Sequence, residues 1–139
     1  MATVQLGFSP VPANVRTARL IASTVGRRSG LDDSLVDEVK LAVGEACARA
    51  VGMHRRHDVA ADVEVSFVDD DATFTVTVVD AAPDDTELPM LDLVDVAADL
   101  DSDLPSGFGL AVVAGLVDDV EVTSTGRGTV VRMRWPIKA

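Results

Sequence analysis

The chain has 139 residues, with 12 Lys and Arg against 23 Asp and Glu, for a formal net charge of −11. That length suits a single domain over 1–139, since two domains would each be left with too small a core. Hydrophobic residues at 47% and charged residues at 25% describe a globular rather than a disordered chain, and no apolar run nears the ~20 residues of a bilayer span.

Residues 1–10 lack a basic start and a long apolar run, so no secretory signal is expected there. Cys47 is the single cysteine and has no partner for an internal disulfide, which points to the cytoplasm. The acidic balance argues against direct nucleic-acid binding, because phosphate contacts come largely from Lys and Arg. The charge is unevenly placed. Residues 1–57 carry 8 basic and 5 acidic side chains, 58–126 carry 18 acidic and no Lys or Arg, and 127–139 carry 4 basic. Unless the fold interleaves these blocks, one face is strongly negative. Such a face either attracts a basic partner or is simply a solvated surface.

In chain order, Val4, Gln5, Leu6, Gly7 and Phe8 alternate as a short strand before Ser9 and Pro10. Pro12 sits at or just before the first turn of a helix with an apolar stripe of Val15, Ala18, Leu20 or Ile21, Ala22 and Val25, ended by Gly30. Asp32, Asp33 and Ser34 cap a second helix, whose buried face is Leu35, Val39, Ala42, Val43, Ala46 and Ala50. Gly44 costs about 1 kcal/mol against Ala in mid-helix, which implies close packing at that point. Val63, Val65 and Phe67, then Phe74, Val76 and Val78, alternate with polar residues around Asp69, Asp70 and Asp71 as an antiparallel hairpin.

The stretch 81–106 holds three prolines and eight acids, and reads as a lid-like segment, with or without a short helix. Its Leu91, Leu93, Val94 and Val96 are core or a docking patch. Gly107 and Gly109 open a short apolar helix over 110–117, and a last hairpin turns at Gly126, Arg127 and Gly128. This order predicts an α+β, two-layer sandwich with helices on one face of a mainly antiparallel sheet.

Three segments carry chemistry: Glu45-Ala46-Cys47-Ala48-Arg49-Ala50, then Asp80-Ala81-Ala82, then Gly107-Phe108-Gly109. In this order and spacing the chain resembles the GHKL (Bergerat-type) ATPase superfamily. It resembles most its single-domain bacterial branch, the anti-sigma factors with serine-protein kinase activity. The likeness spans nearly the whole chain and includes the opening helix, Leu41 to Ala46, and the closing Gly128-Thr129-Val130-Val131.

The resemblance implies that Glu45 is the catalytic base toward a substrate serine. It implies that Asp80 accepts a hydrogen bond from the adenine amino group, and that Gly107 and Gly109 bring backbone amides to the phosphates of ATP. Two positions depart from the family pattern. Arg49 stands where Asn helps to hold Mg²⁺, and Ala82 stands where Gly allows close approach. Arg has donors only and ligates no cation, though a guanidinium also binds phosphate oxygens directly. Both departures point to a degenerate ATP and Mg²⁺ site, and no metal ligand set is assigned.

Read without the family, Glu45 and Arg49 share one helix side and form an exposed pair of roughly 0.2–0.5 kcal/mol, which is favoured over a working base. Asp80 doubles as a strand-end turn former, and Gly107 and Gly109 as plain hinges, since a helix start binds anions only if its N–H groups are free. His54-Arg55-Arg56-His57 reads as a solvated basic loop rather than a zinc site, and Cys47 as a small buried apolar residue.

The expected function is therefore an anti-sigma factor. It would sequester a cognate sigma factor, form a homodimer, and release on competition by an anti-anti-sigma (STAS-type) antagonist. The alternative is an active ATP-dependent serine-protein kinase acting on that antagonist. A detached histidine-kinase catalytic domain is the poorer fit, because no dimerisation hairpin presents a phosphoacceptor His.

Overall fold

The computed structural model describes residues 2–70, 72–83 and 109–137. Its elements are β1 (Ala2–Phe8), α1 (Ala13–Arg28), α2 (Asp33–Arg56), β2 (Val63–Asp69), β3 (Thr73–Asp80), α3 (Gly109–Leu116), β4 (Asp119–Thr125) and β5 (Gly128–Pro136). The five strands form one antiparallel sheet in the order β1-β2-β3-β5-β4. The predicted sandwich and element order are therefore present. The lid-like stretch from residue 84 onward, with Leu91, Leu93, Val94, Val96 and Gly107, lies outside the described residues.

The period of two places Val63, Val65 and Phe67 of β2 on the same face as Phe74, Val76 and Val78 of β3 and Val131, Met133 and Trp135 of β5. All nine are buried. Register stacks them in rows, Phe67 beside Val76 beside Met133, and Phe74 beside Trp135. The rings of Phe67 and Phe74 lie 6.3 Å apart, and those of Phe74 and Trp135 6.4 Å apart.

The helices cover this face. From α1 come Val15, Ala18 and Ala22, and from α2 come Val36, Val39, Ala42, Val43, Ala46 and Ala50. Full burial of each Val or Phe side chain contributes about 1.5–3 kcal/mol, so the core favours this stacking strongly. The choice left open in the α1 stripe is settled by geometry. Leu20 is 61% exposed, while Ile21 packs against the core. Trp135 Nε1 also donates to Glu38 Oε1 at 3.0 Å, which ties α2 to the sheet.

Both long helices end in the same backbone device. At the end of α1 the Leu31 N–H donates to the Gly26 carbonyl and the Gly30 N–H to the Arg27 carbonyl, both at 3.2 Å, with Gly30 at φ 95°. At the end of α2 the Val59 N–H donates to the His54 carbonyl at 2.8 Å and the Asp58 N–H to the Arg55 carbonyl at 3.4 Å, with Asp58 at φ 54°. Between β2 and β3, Asp70 Oδ1 accepts from the amides of Ala72 and Thr73 at 3.1 and 2.7 Å, which closes the expected turn.

The charge blocks are interleaved. On the sheet face away from the helices, Arg134 Nη1 lies 3.1 Å from Asp119 Oδ1 and 3.0 Å from Glu121 Oε1, and Arg132 Nη1 lies 3.7 Å from Glu121 Oε2. Antiparallel pairing of β4 with β5 sets the last basic block directly against acids of the middle one. The expectation of one strongly negative face is corrected to that extent: these acids are paired across strands.

Candidate functional site

Asp80 is the last residue of β3, and its place in the alternation Phe74, Val76, Val78 turns it toward the helices. Its side chain is 3% exposed, and both oxygens are engaged. Oδ2 lies 2.9 Å from Arg49 Nη1. Oδ1 accepts from the Ala82 amide at 3.1 Å and from the Thr129 amide at 3.2 Å. Thr129 is the register partner of Asp80 on β5. The residue before it must be glycine, because a Cβ on Gly128 would run into the Asp80 carbonyl oxygen. The turn-forming reading of Asp80 is thus correct for Oδ1, and the Arg49 contact is added to it. Ala82 is 1% exposed, so its methyl group is packed inside.

Arg49 does not pair with Glu45. That expectation is corrected, and the reason is tertiary. Four residues along a helix do bring the two side chains to one side, but Asp80 stands opposite Arg49 with an acceptor at 2.9 Å. Glu45 is fully buried and faces α1, where Arg19 Nη2 lies 3.7 Å from its Oε1. Gly44 explains the approach. A Cβ on residue 44 would fall onto the Arg19 guanidinium and sit 3.0 Å from its Cγ and Cδ, so the missing side chain is the channel through which Arg19 crosses α2. The close packing inferred at Gly44 is present, and Arg19 is the residue it serves.

His54 is the second correction. It lies inside α2 and is fully buried, not in a solvated loop, because α2 continues to Arg56. Its Nε2 accepts from the Ala81 amide at 2.9 Å, so Nδ1 carries the proton and donates to the Ala61 carbonyl at 3.0 Å. One imidazole therefore ties the end of α2 to the loop before β2 and to the chain leaving β3. Cys47 is fully buried, as expected. Burial pushes its thiol up to about 12, against a lowering by the Arg19 charge, and it is no nucleophile.

Gly109 begins α3, as the sequence spacing implied, and α3 packs on α2. Arg19 and His54 are the two site members that residue patterns did not supply. Gly44 was the available signal for Arg19. For His54 the apolar spacing that runs on through Ala50 to Met53 indicated a helix long enough to bury it.

The arrangement is a pair of inward carboxylates, each held by an arginine of the same chain. Residues 8–135 match the histidine kinase-like ATPase domain, so the chain belongs to that family, one of GHKL-type ATPase domains. Among solved structures it is similar to the RsbU and RsbW domains of Rv1364c from Mycobacterium tuberculosis, at TM-score 0.69 and 17% identity over 96% of this chain. The chain spans about one third, 32%, of the length of that protein. It is also similar to the catalytic domain of histidine kinase ThkA, at TM-score 0.52 and 12% identity, with each chain covered fully. These likenesses concern the fold. No match is found among the curated proteins.

Proposed function

We propose that the chain is a partner-switching domain of anti-sigma type. It binds and sequesters a sigma factor, works as a homodimer, and is released when an anti-anti-sigma antagonist of STAS type competes for it. The fold shared with an RsbW domain supports the class of partner.

The choice of binding over phosphoryl transfer rests on one observation: both oxygens of the Asp80 carboxylate are engaged, Oδ2 by Arg49 and Oδ1 by two backbone amides. ATP with Mg²⁺ does not fit these residues. The acceptor that adenine needs is taken, the metal-ligand position holds a guanidinium with donors only, and Ala82 fills the space of a glycine. Exchange of partners requires no chemistry from the chain, because competition by mass action suffices.

The kinase reading keeps one favouring observation, which is that Glu45 and Gly109 stand at a buried helix position and a helix start.

Co-expression with sigma factors of the same cell, followed by pull-down, tests the proposal. A stable sigma-factor complex displaced by a STAS-type antagonist is the expected result. Capture of no sigma factor and no antagonist would overturn it. ATP-dependent phosphate transfer to the antagonist would establish the kinase reading in its place.

A further inference from the structure

We infer that Arg49 is the internal occupant of an adenine-type site, and that removing its guanidinium opens the site to adenine nucleotides. The inference rests on the binding-domain reading above and goes beyond it by naming the side chain that covers Asp80 and the ligand class it excludes.

The argument begins with hydrogen-bond capacity. A carboxylate oxygen presents two acceptor directions and a guanidinium presents N–H donors. Asp80 Oδ2 receives one such donor, from Arg49 Nη1 at 2.9 Å. The exocyclic amino group of an aminopurine is a donor of the same kind, planar and conjugated, so it competes for the same oxygen. The Arg49 guanidinium stands 2.9 Å from that oxygen and fills the approach to it, so the two exclude each other by bulk.

The remainder of the Asp80 environment does not depend on Arg49. Oδ1 is held by the amides of Ala82 and Thr129, and those are fixed by the strand register and by the turn leaving β3. The next residue along, Ala81, is anchored through its own amide to His54 Nε2. Losing Arg49 therefore leaves the carboxylate aimed as before, with one oxygen uncovered and the volume of a guanidinium vacated beside it.

Glu45 adds an independent point. Its charge is balanced by Arg19 across Gly44, not by Arg49. Replacing Arg49 consequently leaves the other buried carboxylate with its cation. The two arginines serve separate carboxylates, so one substitution uncovers Asp80 and leaves the Arg19–Glu45 pair in place.

The test is calorimetric titration of the whole chain with ATP, ADP and adenosine, with and without Mg²⁺. The wild type is expected to bind none of these detectably up to about 1 mM. Arg49→Asn is expected to bind ADP and ATP at least tenfold more tightly than that limit. Arg49→Gln, which keeps more bulk and an amide donor to Asp80, is expected to fold at least as well and to bind at an intermediate level. Adding Asp80→Asn to Arg49→Asn is expected to abolish the gain, since an amide nitrogen then faces the amino group.

Equal nucleotide binding by wild type and Arg49→Asn would overturn the inference. So would folded Arg49→Asn and Arg49→Gln proteins that bind no nucleotide, or a gain that survives Asp80→Asn. Sigma-factor pull-down with wild type is the separate readout. Its failure sinks the binding-domain proposal, whereas failure of the nucleotide gain with pull-down intact sinks only the role given to Arg49.

Discussion

The side chain of Arg19 stands over Gly44, in the space a Cβ would need, and from there its guanidinium reaches Glu45. The two consecutive helices α1 and α2 are thus joined by a charge pair that depends on the absence of one methyl group. Gly44→Ala has opposing effects. Helix propensity favours Ala by about 1 kcal/mol. Displacing Arg19 breaks its 3.7 Å ion pair with the fully buried Glu45, and breaking a buried pair costs about 3–5 kcal/mol. We expect net destabilisation of about 2 kcal/mol, read as a lowered urea midpoint at unchanged slope. In an Arg19→Ala background the same substitution should become stabilising. A Gly44→Ala protein that melts higher than wild type would contradict this account.

His54 joins three segments through two hydrogen bonds, and both of its partners are backbone groups. His54→Leu keeps bulk but leaves the Ala81 N–H and the Ala61 carbonyl unsatisfied. Ala61 and Ala81 are exposed residues, so water partly satisfies the freed groups, and the loss of two hydrogen bonds is expected to cost about 1–3 kcal/mol. Native-state hydrogen exchange should show the Ala81 amide losing its protection in the variant. Unchanged exchange at Ala81 together with an unchanged melting temperature would contradict the clamp.

Asp58 ends α2 in the left-handed region at φ 54°, at the position where Gly30 ends α1. Glycine adopts this conformation without the Cβ penalty, and Asp tolerates it less well. Asp58→Gly is expected to raise stability by about 0.5–1 kcal/mol, visible as a thermal shift of a few degrees. Asp58→Val should do the reverse, since a β-branched side chain fits that region worst.

Cys47 has a thiol raised from 9.0 to about 12 by burial. The folded state therefore holds the proton more tightly than the unfolded chain. This contribution to stability is complete below pH 9 and declines as pH rises from 9 toward 12, at about 1.4 kcal/mol per pH unit. Cys47→Ala should lack that decline, so wild-type and variant stability curves should diverge only above pH 9. At pH 8 the native thiol should resist a disulfide reagent until denaturant is added. Rapid labelling of the native protein would contradict its burial.

The nature of each element was legible in the chain because it rests on local periodicity. Alternation at 63–67 and 74–78 could only be satisfied by strands with one buried face, and helical spacing from Leu35 to Ala50 only by a helix with a buried stripe. The segments around Glu45 to Ala50 and Asp80 to Ala82, which the fold brings together, stood out in the chain because each is contiguous. Their partners were not. Glu45 and Arg49 at four-residue spacing satisfy the local rule for a helix pair, and that rule gave the wrong contact. Local spacing states which side chains can meet, while a stronger acceptor on another element decides which ones do.

By itself the sequence determined that a five-strand, helix-covered scaffold forms, because hydrophobic burial follows from pattern and pattern is one-dimensional. It also determined that a glycine in α2 had a neighbour to accommodate. Only the tertiary structure decided that this neighbour is Arg19, that His54 is enclosed, that the acids of β4 are balanced by β5, and that Arg49 covers Asp80, 31 positions further along the chain. Electrostatic partners are set by distance and enclosure in three dimensions, and no spacing along the chain encodes either.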